Sequence, residues 1–427
     1  MIYKIDAAKT VTGSLAVPGD KSISHRALML GAIADERTIV QNLSPAADVR
    51  STMNCLQQLH AAIHEYEGAI VIDGQGLYGL QPADGPLDCG NSGTTMRLLA
   101  GILAAQPFSA TLIGDASLSR RPMKRIMDPL AQMGAKIQSQ PGGLAPLVIT
   151  GDRLHPIRFH SPVASAQVKS CVLLAGLYAE GITSVVEPHL SRDHSERMLT
   201  DFGVQLVRNG FEVALQGPAR LAGHHIHVPG DFSSAAFFIG AALITPASRI
   251  TIRQVGLNPT RTGLLDVLQE MGARVDVQQY PNSASEPMGE LTAQTSNLSG
   301  VDIPPEIVPR LIDEIPILAI IATQARGRTT ISGARELRVK ESDRLHAVAT
   351  NLAAMGVRVT EKDDGLVIDG PQRLLGATVD SYGDHRLAMA FAIAGLIGRG
   401  QTQIAGAESV AVSMPNFFDA LKEVTDG

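Results

Sequence analysis

Hydrophobic and polar positions follow a pattern that recurs along the chain. Stretches that are hydrophobic nearly all round, such as residues 27–34 and 235–243, predict buried helices. After each comes a Thr/Ile/Val-rich strand, a turn, an amphipathic helix and a strand of alternating apolar residues. We predict six copies of this unit, each of roughly 70 residues, arranged as small α/β modules with three in each of two domains.

The limits of the six units follow from two recurring signals. A glycine after the last helical residue is a common helix end, and Met-Gly-Ala or a similar triplet occurs where most of the amphipathic helices should end. Strands are predicted to begin near Thr38, Thr111, Thr183, Thr251, Thr329 and Thr402. Amphipathic helices are predicted to end near residues 59–61, 133–135, 202–204, 271–273, 355–357 and 421–423.

A longer repeat indicates two similar halves. Residues 15–22 (LAVPGDKS) and 226–233 (IHVPGDFS) both contain a short β-type run, then Pro-Gly-Asp, then a small-residue apolar stretch. Pro-Gly turns the chain, and the following Asp or Ser can cap a helix. Because the second copy lies near the middle of the sequence, we predict one copy at the start of each half.

Composition narrows the class of protein. The 427 residues are 44% hydrophobic and 18% charged, with a net charge of −6, so nothing favours binding to nucleic acid or anionic lipid as a whole. The cysteines Cys55, Cys89 and Cys171 are scattered, which argues against a disulfide framework or zinc site. The apolar runs are too short to span a bilayer, and the N-terminus lacks a signal or transit pattern. We expect a soluble cytoplasmic protein.

Cations and hydroxyl groups recur at predicted helix starts in the first half. Backbone amides, the helix dipole and nearby cations together bind phosphate and carboxylate well at such positions. A single Lys-Ser pair is as often a solvated surface feature, but the recurrence favours an anion site. The segments concerned are 19–26 (GDKSISHR), 90–97 (GNSGTTMR), 120–125 (RRPMKR), 165–170 (SAQVKS) and 191–197 (SRDHSER).

Carboxylates join the cations in the second half. Asp313-Glu314 precedes a predicted buried helix, and residues 338–344 (RVKESDR) and 383–386 (GDHR) occupy equivalent places in later modules. A single acid beside Lys or Arg is usually an ordinary salt bridge. A cationic cleft with a few well-placed acids is, however, what proton transfer on an anionic substrate requires.

Taken in order, these motifs resemble the 5-enolpyruvylshikimate-3-phosphate synthase family from one end of the chain to the other. The resemblance implies an α/β (α+β) fold of two domains, each with three βαβαββ units around a pseudo-threefold axis, an inside-out α/β barrel. One domain would comprise residues 1–18 and 229–427, with the catalytic acids and the phosphoenolpyruvate side. The other, 19–228, would bind shikimate 3-phosphate. The active site would lie in a cleft that closes on the substrates.

The resemblance also implies the reaction. The enolpyruvyl group of phosphoenolpyruvate would move to the 5-hydroxyl of shikimate 3-phosphate with release of phosphate, on the route to chorismate and the aromatic amino acids. The mechanism is an addition–elimination through a tetrahedral intermediate, and it needs no metal or organic cofactor. The implied partners are these two small molecules alone, for a monomer that binds neither nucleic acid nor membrane.

Site residues follow by matching motifs. Asp313 is implied to accept the proton of the attacking hydroxyl, Glu341 to protonate the methylene carbon, and Lys21 to bridge both substrates. His385 either assists proton movement or orients its neighbours. The implied shikimate 3-phosphate residues are Lys21, Ser22, Arg26, Ser165, Ala166, Gln167, Arg192, Asp313 and Lys340. The implied phosphoenolpyruvate residues are Lys21, Gly93, Arg121, Gln167, Arg344 and Arg386.

Some positions depart from the best-known branch of the family. Ala166 stands where that branch often has Ser, Glu336 where it often has Asn, and the stretch before Pro415 lacks a Lys that could serve the phosphoenolpyruvate end. These changes resemble a branch in which tolerance of the herbicide glyphosate is common. Gly93, in contrast, matches many sensitive enzymes, so the response to this inhibitor stays open.

Two alternative functions remain open. The sister enolpyruvyl transferase that acts on UDP-N-acetylglucosamine usually has Lys-Asn where this chain has Lys21-Ser22, and a Cys in a loop that corresponds here to residues 114–119, which contain none. A non-catalytic anion-binding repeat protein would need the cationic helix starts but not Asp313 and Glu341.

Overall fold

The chain divides into two compact units. The computed structural model describes residues 1–281 and 286–425. One unit, here called the discontinuous unit, comprises Met1–Pro18 and Pro229–Gly427, and the other, the continuous unit, comprises Gly19–Val228. The chain begins in the discontinuous unit with strands β1 (Ile2–Ile5) and β2 (Thr12–Ala16).

The continuous unit alternates helices and strands. Its helices are α1 (Lys21–Ile33), α2 (Ala47–Gln58), α3 (Gly93–Leu103), α4 (Lys124–Gln132), α5 (Ala166–Gly176) and α6 (His194–Asp201). Its strands are β3 (Thr38–Gln41), β4 (Ala62–Tyr66), β5 (Ala69–Asp73), β6 (Leu87–Asp88), β7 (Ser109–Ile113), β8 (Lys136–Gln140), β9 (Leu144–Thr150), β10 (Arg158–His160), β11 (Gly181–Val186), β12 (Leu206–Asn209), β13 (Glu212–Gly217) and β14 (His225–His227). A short 3₁₀ helix spans Leu118–Arg120.

The discontinuous unit repeats the same alternation. Its helices are α7 (Phe232–Ile244), α8 (Gly263–Glu270), α9 (Ile315–Ala322), α10 (Arg344–Ala354), α11 (His385–Leu396) and α12 (Phe417–Thr425). Its remaining strands are β15 (Arg249–Gly256), β16 (Arg274–Gln279), β17 (Met288–Gln294), β18 (Asp302–Ile303), β19 (Gly327–Ile331), β20 (Val359–Lys362), β21 (Gly365–Gly370), β22 (Thr378–Asp380) and β23 (Thr402–Ala405). The 3₁₀ helices are Val308–Arg310, Ile312–Glu314, Arg335–Val339 and Ala407–Val412.

Among the described residues, the strands form six small sheets built on one plan. Each sheet has one parallel pair of strands, and a further strand joins it antiparallel. The orders in the continuous unit are β14-β3-β5-β4, β6-β7-β9-β8 and β10-β11-β13-β12. In the discontinuous unit they are β16-β17-β15-β2, β18-β19-β21-β20 and the shorter β1-β23-β22. The repeated α/β module predicted from the sequence is therefore confirmed.

The two Pro-Gly-Asp repeats mark where the chain passes from one unit to the other. Strand β2 precedes α1 in sequence but pairs in parallel with β15, with Thr12 opposite Arg249. Strand β14 precedes α7 but pairs in parallel with β3, with His225 opposite Ile39. Each strand thus stays in the unit from which the chain departs, and the helix that follows it belongs to the other unit.

Three largely buried helices contribute to the core of each unit. Every residue of α9 and of α11 is buried, as is every residue of α7 except Ile244. These three helices pack against one another in the discontinuous unit, and α3 packs against α5 and α1 in the continuous unit. Their nearly uniform hydrophobicity is explained by this central position, since no face of such a helix meets water. Each unit has its own hydrophobic core.

The predicted helix ends are confirmed to within a few residues. Helices α4, α6, α8 and α10 each stop two residues before a glycine, and these glycines have φ values of +98°, +86°, +79° and +80°. Such left-handed backbone costs glycine little, which is why the triplets contain it. In the first module His60 takes the equivalent conformation at φ +63°. The last helix, α12, runs to Thr425, two residues past its predicted end.

The predicted strand starts are equally close. Strands β3 and β23 begin at Thr38 and Thr402, and β7, β11, β15 and β19 each begin two residues before the predicted threonine. No helix in the described part of the chain is both long and apolar enough to cross a membrane.

Candidate functional site

The residues predicted to act on substrate fall into two groups, one in each unit. Arg121, Arg192 and Lys340 lie in connecting segments, and Arg26 lies in the second turn of α1. The others lie in the first turn of a helix or within three residues before it. The continuous unit carries Lys21, Ser22, Arg26, Gly93, Arg121, Ser165, Ala166, Gln167 and Arg192. The discontinuous unit carries Asp313, Lys340, Glu341, Arg344, His385 and Arg386.

The start of α1 presents one anchored lysine and one anchored arginine. Asp20 caps the helix by accepting a hydrogen bond from the amide of Ile23 at 2.9 Å. The Lys21 ammonium lies 2.9 Å from an oxygen of Asp48 on α2. Arg26 is buried, and it donates to Ser195 Oγ on α6 at 2.7 Å and to the Ser22 carbonyl at 2.8 Å. It also donates to Ser170 Oγ on α5 at 2.7 Å. The guanidinium therefore joins the starts of three helices.

The start of α3 forms a second cationic cluster. Arg97 donates to Gln167 Oε1 at 2.6 Å, and Gln167 in turn donates to Thr94 Oγ1 at 2.9 Å. Arg121 donates to Asn91 Oδ1 at 2.7 Å. Gly93 lies between the two arginines, because a Cβ placed there would stand 2.8 Å from Arg97 Nη1 and 3.5 Å from Arg121 Nη1. Absence of a side chain thus leaves the amide end of α3 open beside two guanidinium groups.

A buried ion cluster holds the segment that carries Arg192. Lys169 on α5 lies 2.8 Å from both Glu187 and Glu196 and keeps only 2% of its side chain exposed. The amide of Ser191 donates to the Glu187 carboxylate at 3.4 Å. Because Arg192 is the next residue, the cluster fixes the backbone at a predicted substrate residue. This role of Lys169 could not be inferred from the sequence, since its partners are distant along the chain.

In the discontinuous unit three carboxylates converge on one buried guanidinium. Arg344 is only 1% exposed, and it lies 2.7 Å from Asp384, 2.6 Å from Glu341 and 3.1 Å from Asp313. Burial disfavours the charged guanidinium, but the three carboxylates outweigh that cost and raise its pKa above the ordinary value. Both predicted catalytic acids are therefore held by the same cation.

The first turn of α11 adds a second arginine to these acids. Arg386 Nη2 lies 3.5 Å from Asp313 Oδ2, and Nη1 donates to the Asp313 carbonyl at 3.4 Å. Asp384 caps the helix by accepting from the Arg386 amide at 2.9 Å. His385 is buried, with Nδ1 3.9 Å from Asp384, and Lys340 is half-buried beside Glu341 in the sequence. Asp313 thus contacts two arginines from two different helices.

Several residues of these clusters were not singled out from the sequence. Arg97 and Asp384 occur inside the motifs that drew attention, and their type at a helix start was the signal that could have identified them. No sequence signal pointed to Asp48, because its partner Lys21 lies 27 positions earlier on a different helix. Within residues 1–281 and 286–425, no group of three or more His, Cys, Asp and Glu side chains is arranged to hold a metal ion.

His25 is a buried histidine close to Lys21 and Arg26. It is fully enclosed on α1, and its Nδ1 lies 2.6 Å from Thr52 Oγ1 on α2. Burial is the main cause that lowers the pKa of its ring well below the ordinary 6.5, with smaller contributions from Lys21 and Arg26. The ring is therefore neutral in the folded protein at neutral pH.

This histidine makes a contribution to acid destabilisation that can be measured. Below pH 6.5 the unfolded chain protonates His25 while the folded chain does not, so folding stability falls as pH decreases. One such proton gives a slope of up to about 1.4 kcal/mol per pH unit. We expect His25→Asn to flatten the loss of stability below pH 6.5 in urea titrations at a series of pH values. The same substitution at the exposed His225 is the control, and equal flattening by both variants would contradict the prediction.

Comparison with protein families shows which family the chain belongs to. A model of the family described as EPSP synthase (3-phosphoshikimate 1-carboxyvinyltransferase) matches residues 5–421. The 3-phosphoshikimate 1-carboxyvinyltransferase of Brevibacillus brevis is 49% identical over 425 residues, which cover 99% of this chain and 100% of the relative. The enzyme of that name from Geobacillus kaustophilus is 51% identical over 418 residues, 97% of this chain and 98% of the relative.

Solved structures agree. The chain resembles an EPSP synthase from Acinetobacter baumannii with a TM-score of 0.88 at 43% identity, covering 99% of this chain and 98% of that one. It also resembles the enolpyruvyl transferase NikO from Streptomyces tendae, with a TM-score of 0.81 at 19% identity and coverage of 99% and 97%. At that lower identity the likeness shows the fold alone.

Proposed function

This chain belongs to the EPSP synthase (3-phosphoshikimate 1-carboxyvinyltransferase) family, and from that premise we propose that it transfers the enolpyruvyl group of phosphoenolpyruvate to the 5-hydroxyl of shikimate 3-phosphate. Phosphate is the second product, and the step belongs to aromatic amino acid biosynthesis. The match over residues 5–421 and the relatives at 49% and 51% identity support this assignment.

Shikimate 3-phosphate binds, in this proposal, at the starts of α1, α5 and α6. Arg26 and Ser22 at α1, with Ser165, Ala166 and Gln167 at α5, supply guanidinium, hydroxyl and amide donors to the phosphate and the ring hydroxyls. Arg192 adds a cation from the segment that the Lys169 cluster fixes. Helix starts and arginine forks are the usual partners of phosphate, which supports the assignment.

Phosphoenolpyruvate is assigned to Gly93, Arg121 and Gln167 of the continuous unit and to Arg344 and Arg386 of the discontinuous unit. The open amide end of α3 beside Arg97 and Arg121 suits a phosphate or carboxylate group. Lys21 bridges the two substrates, and Lys340 assists with shikimate 3-phosphate. The charge of these cations is therefore opposite to that of the two anionic substrates.

The chemical step needs one base and one acid. Asp313 takes the proton of the 5-hydroxyl while the hydroxyl oxygen forms a bond to C2 of phosphoenolpyruvate. Glu341 gives a proton to C3, which becomes a methyl group. The tetrahedral intermediate then loses phosphate from C2 and a proton from C3, which restores the double bond. Glu341 retains 19% of its side-chain surface exposed, so it can exchange protons with solvent.

The observation that best supports these roles is the pair of contacts to Arg344. Asp313 and Glu341 come from separate segments of the chain, yet both lie within 3.1 Å of the same buried guanidinium. A non-catalytic anion-binding protein would have no need to gather acids around a cation that should attract substrate.

The assignment is tested by phosphate release from phosphoenolpyruvate with shikimate 3-phosphate and UDP-N-acetylglucosamine as parallel acceptors. We expect release with shikimate 3-phosphate alone. Release with UDP-N-acetylglucosamine instead would reassign the chain to the sister reaction. Release with neither acceptor would mean that the cationic helix starts bind anions without catalysis.

Gly93→Ala should weaken the binding of phosphoenolpyruvate more than that of shikimate 3-phosphate. The added methyl group would stand 2.8 Å from Arg97 Nη1, so this guanidinium must shift, and Gln167, to which it donates, must follow. We expect the KM for phosphoenolpyruvate to rise about tenfold, equivalent to ~1.4 kcal/mol. The KM for shikimate 3-phosphate should rise much less, because Gln167 is the one residue of its proposed site that must move. Gly85→Ala is the control, since nothing lies within 4 Å of its new Cβ. An equal change in both KM values would contradict the assignment of Gly93.

We further propose that the enzyme works as a monomer in the cytoplasm. All three cysteines are buried free thiols, which suits a reducing compartment, and each unit has a core of its own. Light scattering coupled to gel filtration tests the oligomeric state, and a mass of twice 45.1 kDa or more would contradict it.

A further inference from the structure

A chain of four buried polar side chains links three helices of the continuous unit. His25 Nδ1 on α1 lies 2.6 Å from Thr52 Oγ1 on α2, which lies 2.7 Å from Thr95 Oγ1 on α3. Thr95 Oγ1 then donates to Ser92 Oγ at 2.7 Å. All four side chains have no measurable exposure, so each hydrogen bond replaces contact with water that is no longer available.

The donors of this chain run in one direction. The Thr95 hydroxyl has two acceptors besides Thr52, namely Ser92 Oγ at 2.7 Å and the Asp48 carbonyl at 3.4 Å. With its proton given to either of these, Thr95 accepts from Thr52, and the Thr52 proton is then used. Thr52 must therefore accept from His25, which places the imidazole proton on Nδ1. His25 Nε2 is then the bare nitrogen, and it is buried with no hydrogen-bond partner in the described part of the chain. A neutral ring fits the lowered pKa of His25.

This hydrogen-bond chain connects the two helix starts that the proposed function assigns to different substrates. The α1 start carries Lys21, Ser22 and Arg26, whereas the α3 start carries the open amide end at Gly93. Helix α2 contacts these helix starts through two residues. Thr52 belongs to the hydrogen-bond chain, and Asp48 pairs with Lys21 at 2.9 Å. Ser92 ends the chain and also caps α3, by accepting from the Thr95 amide at 3.0 Å.

We propose that His25, Thr52 and Thr95 are positioning residues that set the α1 start against the α3 start, and so hold shikimate 3-phosphate and phosphoenolpyruvate in register for reaction. This inference rests on the proposed function. None of the three side chains touches substrate. They act through Lys21 and Arg26 on one side and through the capped amide end of α3 on the other.

The test breaks the chain at its middle link. Thr52→Val keeps the volume and removes the hydroxyl, Thr52→Ser restores the hydroxyl, and Thr183→Val is the matched control. Thr183 is a fully buried threonine of the same unit whose hydroxyl has no hydrogen-bond partner among the described residues. The wild type and the three variants are compared in calorimetric binding of shikimate 3-phosphate alone and in steady-state kinetics with both substrates.

We expect Thr52→Val to lower kcat/KM for phosphoenolpyruvate by about 10- to 100-fold, as small misplacements of reacting groups do. Its Kd for shikimate 3-phosphate alone should stay within about twofold of the wild type, far below a tenfold effect of 1.4 kcal/mol. Thr52→Ser should recover most of the activity, and Thr183→Val should match the wild type. Kinetics of Thr52→Val equal to those of Thr183→Val would overturn the inference.

A second measurement needs no variant. Nitrogen NMR of the wild type with labelled histidine should show His25 as the neutral ring with its proton on Nδ1. A proton on Nε2 would reverse the donor order and overturn the inference. A wild-type enzyme that fails to turn over the two substrates would instead refute the proposed function, so the two failures are distinguishable.

Discussion

Replacing Glu341 with Gln is expected to lower kcat by about 10²- to 10⁴-fold, the usual contribution of a positioned general acid. The amide keeps the size of the side chain but has no acidic proton to give to C3 of phosphoenolpyruvate. Asp313→Asn should have a loss of the same order, because the amide cannot accept the proton of the 5-hydroxyl. Steady-state phosphate release measures both, with KM values expected to change much less than kcat.

The control for this prediction is Glu361→Gln. Glu361 also pairs with an arginine, since its Oε1 lies 2.8 Å from Arg338 Nη1, but it has no assigned role in the reaction. Its kcat should match the wild type. Wild-type turnover by both Glu341→Gln and Asp313→Asn would refute the assigned mechanism and favour an anion-binding protein.

Arg344→Met should be the most destabilising single change considered for this chain. Asp313, Glu341 and Asp384 all lie within 3.1 Å of the guanidinium, and Asp384 is fully buried. Removing the cation leaves these carboxylates close together with less positive charge beside them, although Arg386 still lies 3.5 Å from Asp313. Removing one partner of a buried ion pair costs about 3–5 kcal/mol. Urea unfolding at pH 7 measures the loss directly.

Two further variants separate charge from size. Arg344→Met combined with Asp384→Asn should recover part of the lost stability, because it removes one of the stranded charges. Arg328→Met is the surface control, since Arg328 and Asp369 form a two-bond pair with about two thirds of each side chain exposed, and its effect should be much smaller. Equal losses from Arg344→Met and Arg328→Met would contradict the argument from burial.

Local features of the sequence predicted the modules well. Glycines such as Gly134 and Gly356 mark helix ends because only a left-handed residue lets the chain leave the helix in this way, and that requirement is met within a few residues. The Asp20 and Asp231 caps follow equally from local geometry. The buried helices were recognisable because a helix with no polar face must be surrounded by other protein.

Contacts between modules were not predictable in the same way. His25, Thr52 and Thr95 form one chain only after three helices have packed, and the spacing of these residues along the sequence carries no sign of it. The pairing of Lys169 with Glu187 and Glu196 is of the same kind. The motifs identified which residues have suitable chemistry, whereas packing decides which of them are held by which partners.

The crossing of the chain between the two units at the Pro-Gly-Asp turns has a consequence for synthesis on the ribosome, where the N-terminus emerges first. The continuous unit possesses all of its strands once Val228 has been made. Strand β2 cannot pair until β15 has been synthesised, and Ile2 of β1 cannot pair until Ala405 of β23 has been synthesised. Strands β1 and β2 are therefore synthesised before the continuous unit but pair after it, and a nascent chain halted near residue 228 would carry a completed unit behind two unpaired strands.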